Sequence, residues 1–305
     1  MGLKELLDVT AAGPVSEQAA RAALERGQAL LDEGDRDGAA TAWRQAALVP
    51  QTQLTAHNLI EAHRLLGAFS LWTGVDATID PQDDVYRFYC GHGTWSSPMR
   101  DYLADGWRTL SELLLLLERG GQTLTGCGSV LEFASGHGRF TRHLVKAVGA
   151  GRVTVSDVVP GAVAFSTAQF GAQGFVSTLD PAQLVWPRRY GLVFVLSLFS
   201  HLPRATWRPW LERVWEAVEP GGTLVFTTHG EFAAQRAGVQ TDGEGFYFHA
   251  ESESQAIDAQ AYGTTYTTRE FVLARVAELT PQPARVDFEP AWFWAHQDAI
   301  VLRRS

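Results

Sequence analysis

The chain has 305 residues, 46% of them hydrophobic and 19% charged, enough apolar material for a large core and too much for an intrinsically disordered chain. With 25 Lys and Arg against 34 Asp and Glu, its formal charge of -9 argues against a partner held by neutralised nucleic-acid phosphates. The two cysteines, Cys90 and Cys127, cannot build a disulfide framework or a cysteine-rich zinc site. The opening MGLKELLDVT lacks the apolar stretch of a signal peptide, and the leucine run Leu113 to Leu117 is too short to span a bilayer. The expectation is a cytoplasmic protein with no nucleic-acid or membrane partner. A homodimer is compatible with it.

The first part of the chain reads as helix. Glu17 to Gly34 is rich in good helix formers and ends on Gly34-Asp35. A second helix runs through Ala39, Ala42, Trp43 and Ala46, with Pro50 expected to close it. Small Gly27, Ala39 and Ala46 against large Leu30 and Trp43 suit two closely packed antiparallel helices. The spacing of these residues resembles a single tetratricopeptide repeat, without a second copy, so a helical hairpin is expected rather than a repeat array. A further helix is predicted over Leu54 to Leu66, then an aromatic, glycine-rich segment from Tyr86 to Trp95, then a long apolar helix from Met99 to Glu118. Gly120-Gly121 is the predicted boundary between a helical domain, 1–120, and a second domain, 121–305. The leucines of the long helix are expected to pack on that second domain.

Beyond Gly128 strands and helices alternate. Ser129 to Ala134, Arg152 to Ser156, Phe175 to Thr178, Gly191 to Ser197 and Thr223 to Thr228 read as strands. Arg139 to Val148, Gly161 to Phe170 and Arg204 to Val218 read as helices between them. Such alternation predicts an α/β fold, a doubly wound, mostly parallel sheet covered on both faces. After a helix from Arg269 to Leu279, Arg285 to Phe288 and Ala299 to Leu302 read as an antiparallel strand pair at the sheet edge.

Val130-Leu-Glu-Phe-Ala-Ser-Gly-His-Gly-Arg-Phe140 carries the first chemistry. A strand ends in a tight glycine turn that opens into a helix, which lets a ligand approach the backbone. Asp157 ends the next strand, 25 positions after Glu132, where an acid can accept both hydroxyls of a ribose. A plain helix cap is the other reading of Asp157. A nicotinamide-dependent dehydrogenase would need a similar crevice, but Thr141 occupies the position of the third fingerprint glycine.

From about Gly128 to Ser305 the chain resembles the class I S-adenosylmethionine-dependent methyltransferases, whose Rossmann-like fold ends in an antiparallel strand pair. The residues 130–138 resemble the first motif of that family and Val153-Thr-Val-Ser-Asp-Val-Val-Pro160 the second. Tyr190 to Leu202 resembles the fourth-strand motif, and Leu211 to Phe226 the helix and strand after it. Ala134 stands where the family commonly has its first glycine, and Gly191 where an acid commonly starts the fourth strand. The resemblance implies S-adenosylmethionine as cofactor. It would place Glu132, Ala134, Ser135, Gly136 and Gly138 around its amino-acid part, Asp157 at the ribose and Val158 on the adenine. One residue of Ser177-Thr178-Leu179-Asp180 would read the adenine amino group, with Thr178 and Leu179 in the site. Ser197 and Leu198 would lie below the sulfonium.

The fourth strand ends in Leu-Phe-Ser-His rather than the Asn/Asp-Pro-Pro-aromatic motif of nucleobase and amide methylation. An oxygen acceptor or a small-molecule nitrogen is therefore expected, with O-methylation of a small-molecule or sugar-type acceptor the foremost reading. His201 and His229 follow adjacent strands, and imidazole is the side chain suited to general-base work near neutrality. The tail Trp292-Phe-Trp-Ala-His-Gln-Asp298 resembles that of a subset of these enzymes, and His296 and Asp298 are either a cleft network or a structural cluster. A metal site is not expected. Ala233 to Thr264, with Phe246-Tyr-Phe248 and the acids Glu251 and Glu253, is too long for a plain connection and reads as a lid over the acceptor. The alternative to an enzyme is a catalytically idle nucleoside-fold scaffold that recruits a partner through its helices.

Overall fold

The computed structural model describes residues 15–92, 97–252, 254 and 256–305. Trp95 and Glu253, and the chain before residue 15, lie outside the described residues. The chain divides into two compact units, residues 1–81 and 82–305.

In the first unit, α1 (Glu17–Asp32) and α2 (Arg36–Ala46) form a tight hairpin. Ser16 accepts from the Ala19 N–H and Asp35 from the Gly38 N–H, so a side chain caps each helix start. Gly27 lies directly on the Trp43 indole, where a Cβ would come within 2.3 Å of the ring nitrogen. That contact lets the indole N–H reach the Leu24 carbonyl at 3.1 Å. Pro50 opens α3 (Pro50–Ala62) instead of closing α2. A proline at the first helical position gives up an N–H that has no partner there anyway. Asn58 of α3 pairs both ways with the Ile79 backbone, which ties down the chain beyond the short α4 (Ser70–Thr73).

The second unit begins with α5 (Asp84–Gly91) and α6 (Pro98–Arg119). Its sheet holds β1 (Val130–Phe133), β2 (Val153–Asp157), β3 (Gln173–Val176), β4 (Tyr190–Val195), β5 (Val218–Thr228), β8 (Arg285–Phe293) and β9 (Gln297–Arg303). The order is β3-β2-β1-β4-β5-β9-β8, parallel from β3 to β5, with β9 antiparallel to β5 and to β8. This is the Rossmann-like sheet and terminal strand pair that the sequence predicts. A separate hairpin pairs β6 (Phe246–His249) with β7 (Thr264–Thr267).

Alternate residues of each strand feed opposite layers. Leu131, Phe133, Val193 and Val195 pack with Trp207, Leu211, Val214 and Trp215 of α9 (Arg204–Glu216) and with Phe271 of α11 (Arg269–Ala277). Val130, Leu192 and Phe194 face Leu113, Leu116 and Leu117 of α6, Leu144 of α7 (Thr141–Val148) and Val163 of α8 (Pro160–Phe170). The leucines of α6 are thus part of the core of the sheet. The division of the chain falls at Pro81/Gln82 and not at the glycines 120–121, because those glycines only turn the chain between two parts of one core.

Several strands differ from their predicted bounds. At β3 the strand starts two residues early, because Gly174 leaves room for Thr167 and Val163 of α8. The tail strands are longer than predicted, and a register break between Glu289 and Phe293 separates two well-paired stretches. The described residues of the predicted lid form the end of α10 (Glu231–Ala237) and then the β6–β7 hairpin, whose Phe246 is buried in the core.

Candidate functional site

The order of the sheet reverses between β1 and β4, and a cavity of about 550 Å³ opens at their carboxyl ends. After β1 the backbone enters the left-handed region at Ala134 (φ 59°), Gly136 (φ 55°) and Gly138 (φ 78°). Gly136 faces open space, its N–H donating to Asp157 Oδ2 at 2.8 Å. Ala134 adopts the same conformation with a side chain, which costs on the order of 1 kcal/mol. Gly138 does not line the cavity. A Cβ there would come within 2.5 Å of Phe170 and 2.9 Å of Ser166 Oγ, so this glycine lets α7 start close against α8.

Two buried carboxyls sit under the turn. Glu132 accepts from the Thr141 hydroxyl at 2.6 Å, and burial pushes its pKa up to about 8, which keeps it largely protonated at neutral pH. Asp157 accepts from the Gly136 and Val159 N–H groups, one on each oxygen. Burial raises its pKa, while these backbone donors oppose the shift. The helix-cap reading of Asp157 does not hold: Val159 is the N-cap of α8 and no side chain caps it, while Asp157 closes the turn before it and faces the cavity. Val158, Ser135, Thr178 and Leu179 line the same end. Of the four residues after β3, Ser177, Thr178 and Leu179 line the cavity. Asp180 instead turns its carboxylate to the Ala182 N–H and Gln183.

The other end is built from β4, β5 and the turn between β8 and β9. Ser197 and Leu198 line it, Ser197 in the left-handed region with φ 62°. His201 is buried, stacked on Tyr262 with ring centroids 4.4 Å apart, and its Nδ1 lies 2.6 Å from the Gly263 carbonyl oxygen. A carbonyl only accepts, so Nδ1 carries the hydrogen and the lone pair of the neutral ring stands at Nε2. His229 lies 6.1 Å from His201 and 5.0 Å from His296 between ring centroids. Burial lowers the pKa of His229 to about 3, with His201 and His296 adding to the effect. Its Nε2 faces the Gln297 amide nitrogen at 3.3 Å. His296 lines the cavity, whereas Asp298 accepts from the Ala291 N–H at 2.8 Å and pins the break in β8. Asp298 is thus the structural member of the tail motif.

Sequence reasoning gave no role to Arg139, Tyr262, Trp294 or Gln297, all of which line the cavity, although the tail motif holds the last two. Arg139 follows the glycine turn and is the cavity's one Lys or Arg side chain among the described residues. It donates to the Tyr89 hydroxyl at 3.1 Å, lies 3.9 Å from Asp105 and sits 4.9 Å over the Trp294 ring. The turn before β9 is itself tied to α6, because the Trp292 and Trp294 indoles donate to the Glu112 carbonyl and the Thr109 hydroxyl. Among the described residues no group of three or more His, Cys, Asp or Glu is placed to hold a metal, and no helix is long and apolar enough to cross a membrane.

The residues present suit a nucleoside that carries a sulfonium. Open space stands at Gly136, Asp157 offers carboxylate lone pairs, and acids outnumber the lone guanidinium along the walls, which favours a cationic centre. Residues 130–222 match the family described as a methyltransferase domain. This stretch is similar to a methyltransferase domain and lies in a sheet of Rossmann-like order. No curated protein matches the chain. Among solved structures, the chain is similar to magnesium protoporphyrin IX methyltransferase from Synechocystis PCC 6803 with bound SAH, at 17% identity and TM-score 0.47, over 73% of this chain and 94% of that one. It is also similar to the N-methyltransferase NodS from Bradyrhizobium japonicum WM9, at 18% identity and TM-score 0.45, over 73% and 99%. A third is 1,6-didemethyltoxoflavin-N1-methyltransferase from Burkholderia thailandensis, at 17% identity and TM-score 0.47, over 73% and 87%.

Proposed function

We propose that the protein methylates a hydroxyl oxygen of a small-molecule acceptor, of sugar or other ring type, with His201 as general base. The observation that carries this reading is the His201 ring, which lines the same cavity as the glycine turn and is held through Nδ1 by the Gly263 carbonyl. Bound S-adenosylmethionine supplies a methyl group already activated on a sulfonium, so the protein's task is alignment, exclusion of water and removal of one proton. Asp157 takes the ribose hydroxyls, Gly136 and Ala134 offer backbone to the methionine part, and the Arg139 guanidinium suits its carboxylate. Protonated Glu132 donates or accepts without adding charge. Phe88, Tyr262 and Trp294 wall the acceptor side, and His201 takes the proton as the acceptor oxygen attacks. His229 is the poorer base of the two named in the sequence, since its lone pair faces the Gln297 amide and its basicity is low. The two unpaired cysteines accord with a cytoplasmic setting.

The test joins calorimetry with S-adenosylhomocysteine to methyl transfer from labelled donor across a panel of sugar, phenol, carboxylate and amine acceptors. Micromolar binding is expected, with turnover on hydroxyl acceptors. His201→Ala should lower that turnover by about 10²–10⁴-fold with donor affinity nearly unchanged. Turnover confined to carboxylates or amines, or full turnover in His201→Ala, overturns the proposal.

A further inference from the structure

We propose that Gln297 is the positioning residue of this site, holding Ser197 in its left-handed conformation and His229 as the Nδ1–H tautomer. The inference deepens the proposed methyl transfer and rests on it only for its catalytic meaning. Four groups meet around the Gln297 amide, and their donor and acceptor capacities allow one consistent direction. The Ser197 N–H donates to Thr227 Oγ1 at 2.8 Å. Thr227 then has a single hydroxyl hydrogen, and it goes to Gln297 Oε1 at 2.5 Å. With its oxygen accepting, the amide presents two N–H groups: one to Ser197 Oγ at 2.7 Å, the other toward His229 Nε2 at 3.3 Å. The accepting Nε2 of His229 must carry the lone pair, which leaves the hydrogen on Nδ1.

Gln297 and Thr227 are buried, so their own polar groups cannot exchange partners for bulk water. Ser197 stands at the end of β4 with φ 62°, a conformation that costs a non-glycine residue free energy. Its N–H and its Oγ are both held by this network, from β5 and β9, which fixes the residue against relaxation. The Ser197 hydroxyl, accepting from Gln297, keeps its own hydrogen to donate. The other titratable rings around His229 are His201, His296 and Tyr266, with centroids 6.1, 5.0 and 5.2 Å away. No carboxylate among the described residues is recorded bonding to the His229 ring, so its tautomer is read from the Gln297 amide at Nε2, with the Thr265 backbone the other polar neighbour of the ring.

The experiment is a long-range ¹H–¹⁵N spectrum of the full-length protein labelled in its histidine rings, with His229→Asn assigning the signals. In the native protein the His229 ring is expected as the Nδ1–H tautomer, unchanged from pH 5.5 to 8. Gln297→Glu is nearly the same shape but its carboxylate cannot donate. There the His229 ring is expected to flip to the Nε2–H tautomer or take up a proton within that range. Circular dichroism checks that the variant is folded, and the native spectrum decides the matter even where it is not. A native His229 in the Nε2–H form, or one that titrates between pH 5.5 and 8, overturns the proposal. Calorimetry with S-adenosylhomocysteine on the same samples separates the two claims. If binding is absent but the tautomer is as expected, the methyl-transfer reading fails and the role of Gln297 in the site stands. For Gln297→Leu, freeing Ser197 is expected to weaken that binding about tenfold, and unchanged affinity with a folded protein removes the Ser197 half of the proposal.

Discussion

Asp157 shows how one carboxylate serves two neighbours. Its oxygens already accept from Gly136 and Val159, and each retains a lone pair for a ribose hydroxyl. Asp157→Ala is expected to weaken S-adenosylhomocysteine binding by roughly 2–4 kcal/mol, through two lost charge-assisted hydrogen bonds, and to lower Tm because two backbone donors lose their partner. Calorimetry below the Tm of the variant checks it; an unchanged Kd would leave Asp157 only its part in holding the two turns. Glu132 gives a prediction with a sign. Unfolded, this carboxyl ionises near the ordinary value of about 4.3, whereas in the fold it holds its proton up to about 8. Between those values the unfolded chain binds fewer protons, so stability falls as pH rises from about 4 to 8 and then levels off. Glu132→Gln removes that slope while keeping an acceptor for Thr141. Urea unfolding of both proteins at pH 5 to 9 should show the variant gaining on the native protein as pH rises, and parallel curves would mean that Glu132 is ionised in the fold.

Helix α6 joins several parts of the second unit at once. Its leucines close one face of the sheet, and Glu112 and Thr109 hold the tail tryptophans. Leu113 is fully buried there, and Leu113→Ala should cost about 2–5 kcal/mol, read from chemical denaturation. A loss under 1 kcal/mol would mean that the helix is loosely held. The apolar face of α6 was legible in the sequence, as were the strands, the glycine turn and Asp157. Each of these is written in local spacing, where a period of two or 3.6 or a glycine at a turn betrays its surroundings. Gln297 and Tyr262 are written nowhere locally. Gln297 meets Ser197 from 100 positions away and Tyr262 meets His201 from 61, so only the closing of the sheet and of the hairpin reveals them. Gly138 misled for a related reason. Its place in a glycine turn points to a ligand, but its neighbours are Phe170 and Ser166, which arrive from the next helix.

At the scale of the whole molecule, the division at Pro81/Gln82 makes a prediction about autonomy. Residues 82–305 expressed alone are expected to fold and bind S-adenosylhomocysteine, because every residue lining the cavity lies within them. A chain beginning at Gly121 should aggregate, having lost α6 and exposed the apolar face it covers. Size-exclusion chromatography and calorimetry test both, and a soluble, binding chain from Gly121 would show that α6 is dispensable. The reversal of strand order between β1 and β4 has a further consequence. Residues suited to the donor come from the β1–β2–β3 side. Those proposed to face the acceptor come mainly from β4, the turn before β9 and the segment leading into β7. The two flanks meet at Arg139, stacked on Trp294, and at Ser197, held by Gln297, so exchange of residues 291–296 is expected to disturb both. Exchange of residues 256–263 is expected to retune acceptor choice with methyl-donor use inherited intact, a partition that lets a lineage explore new substrates at little risk to its common currency.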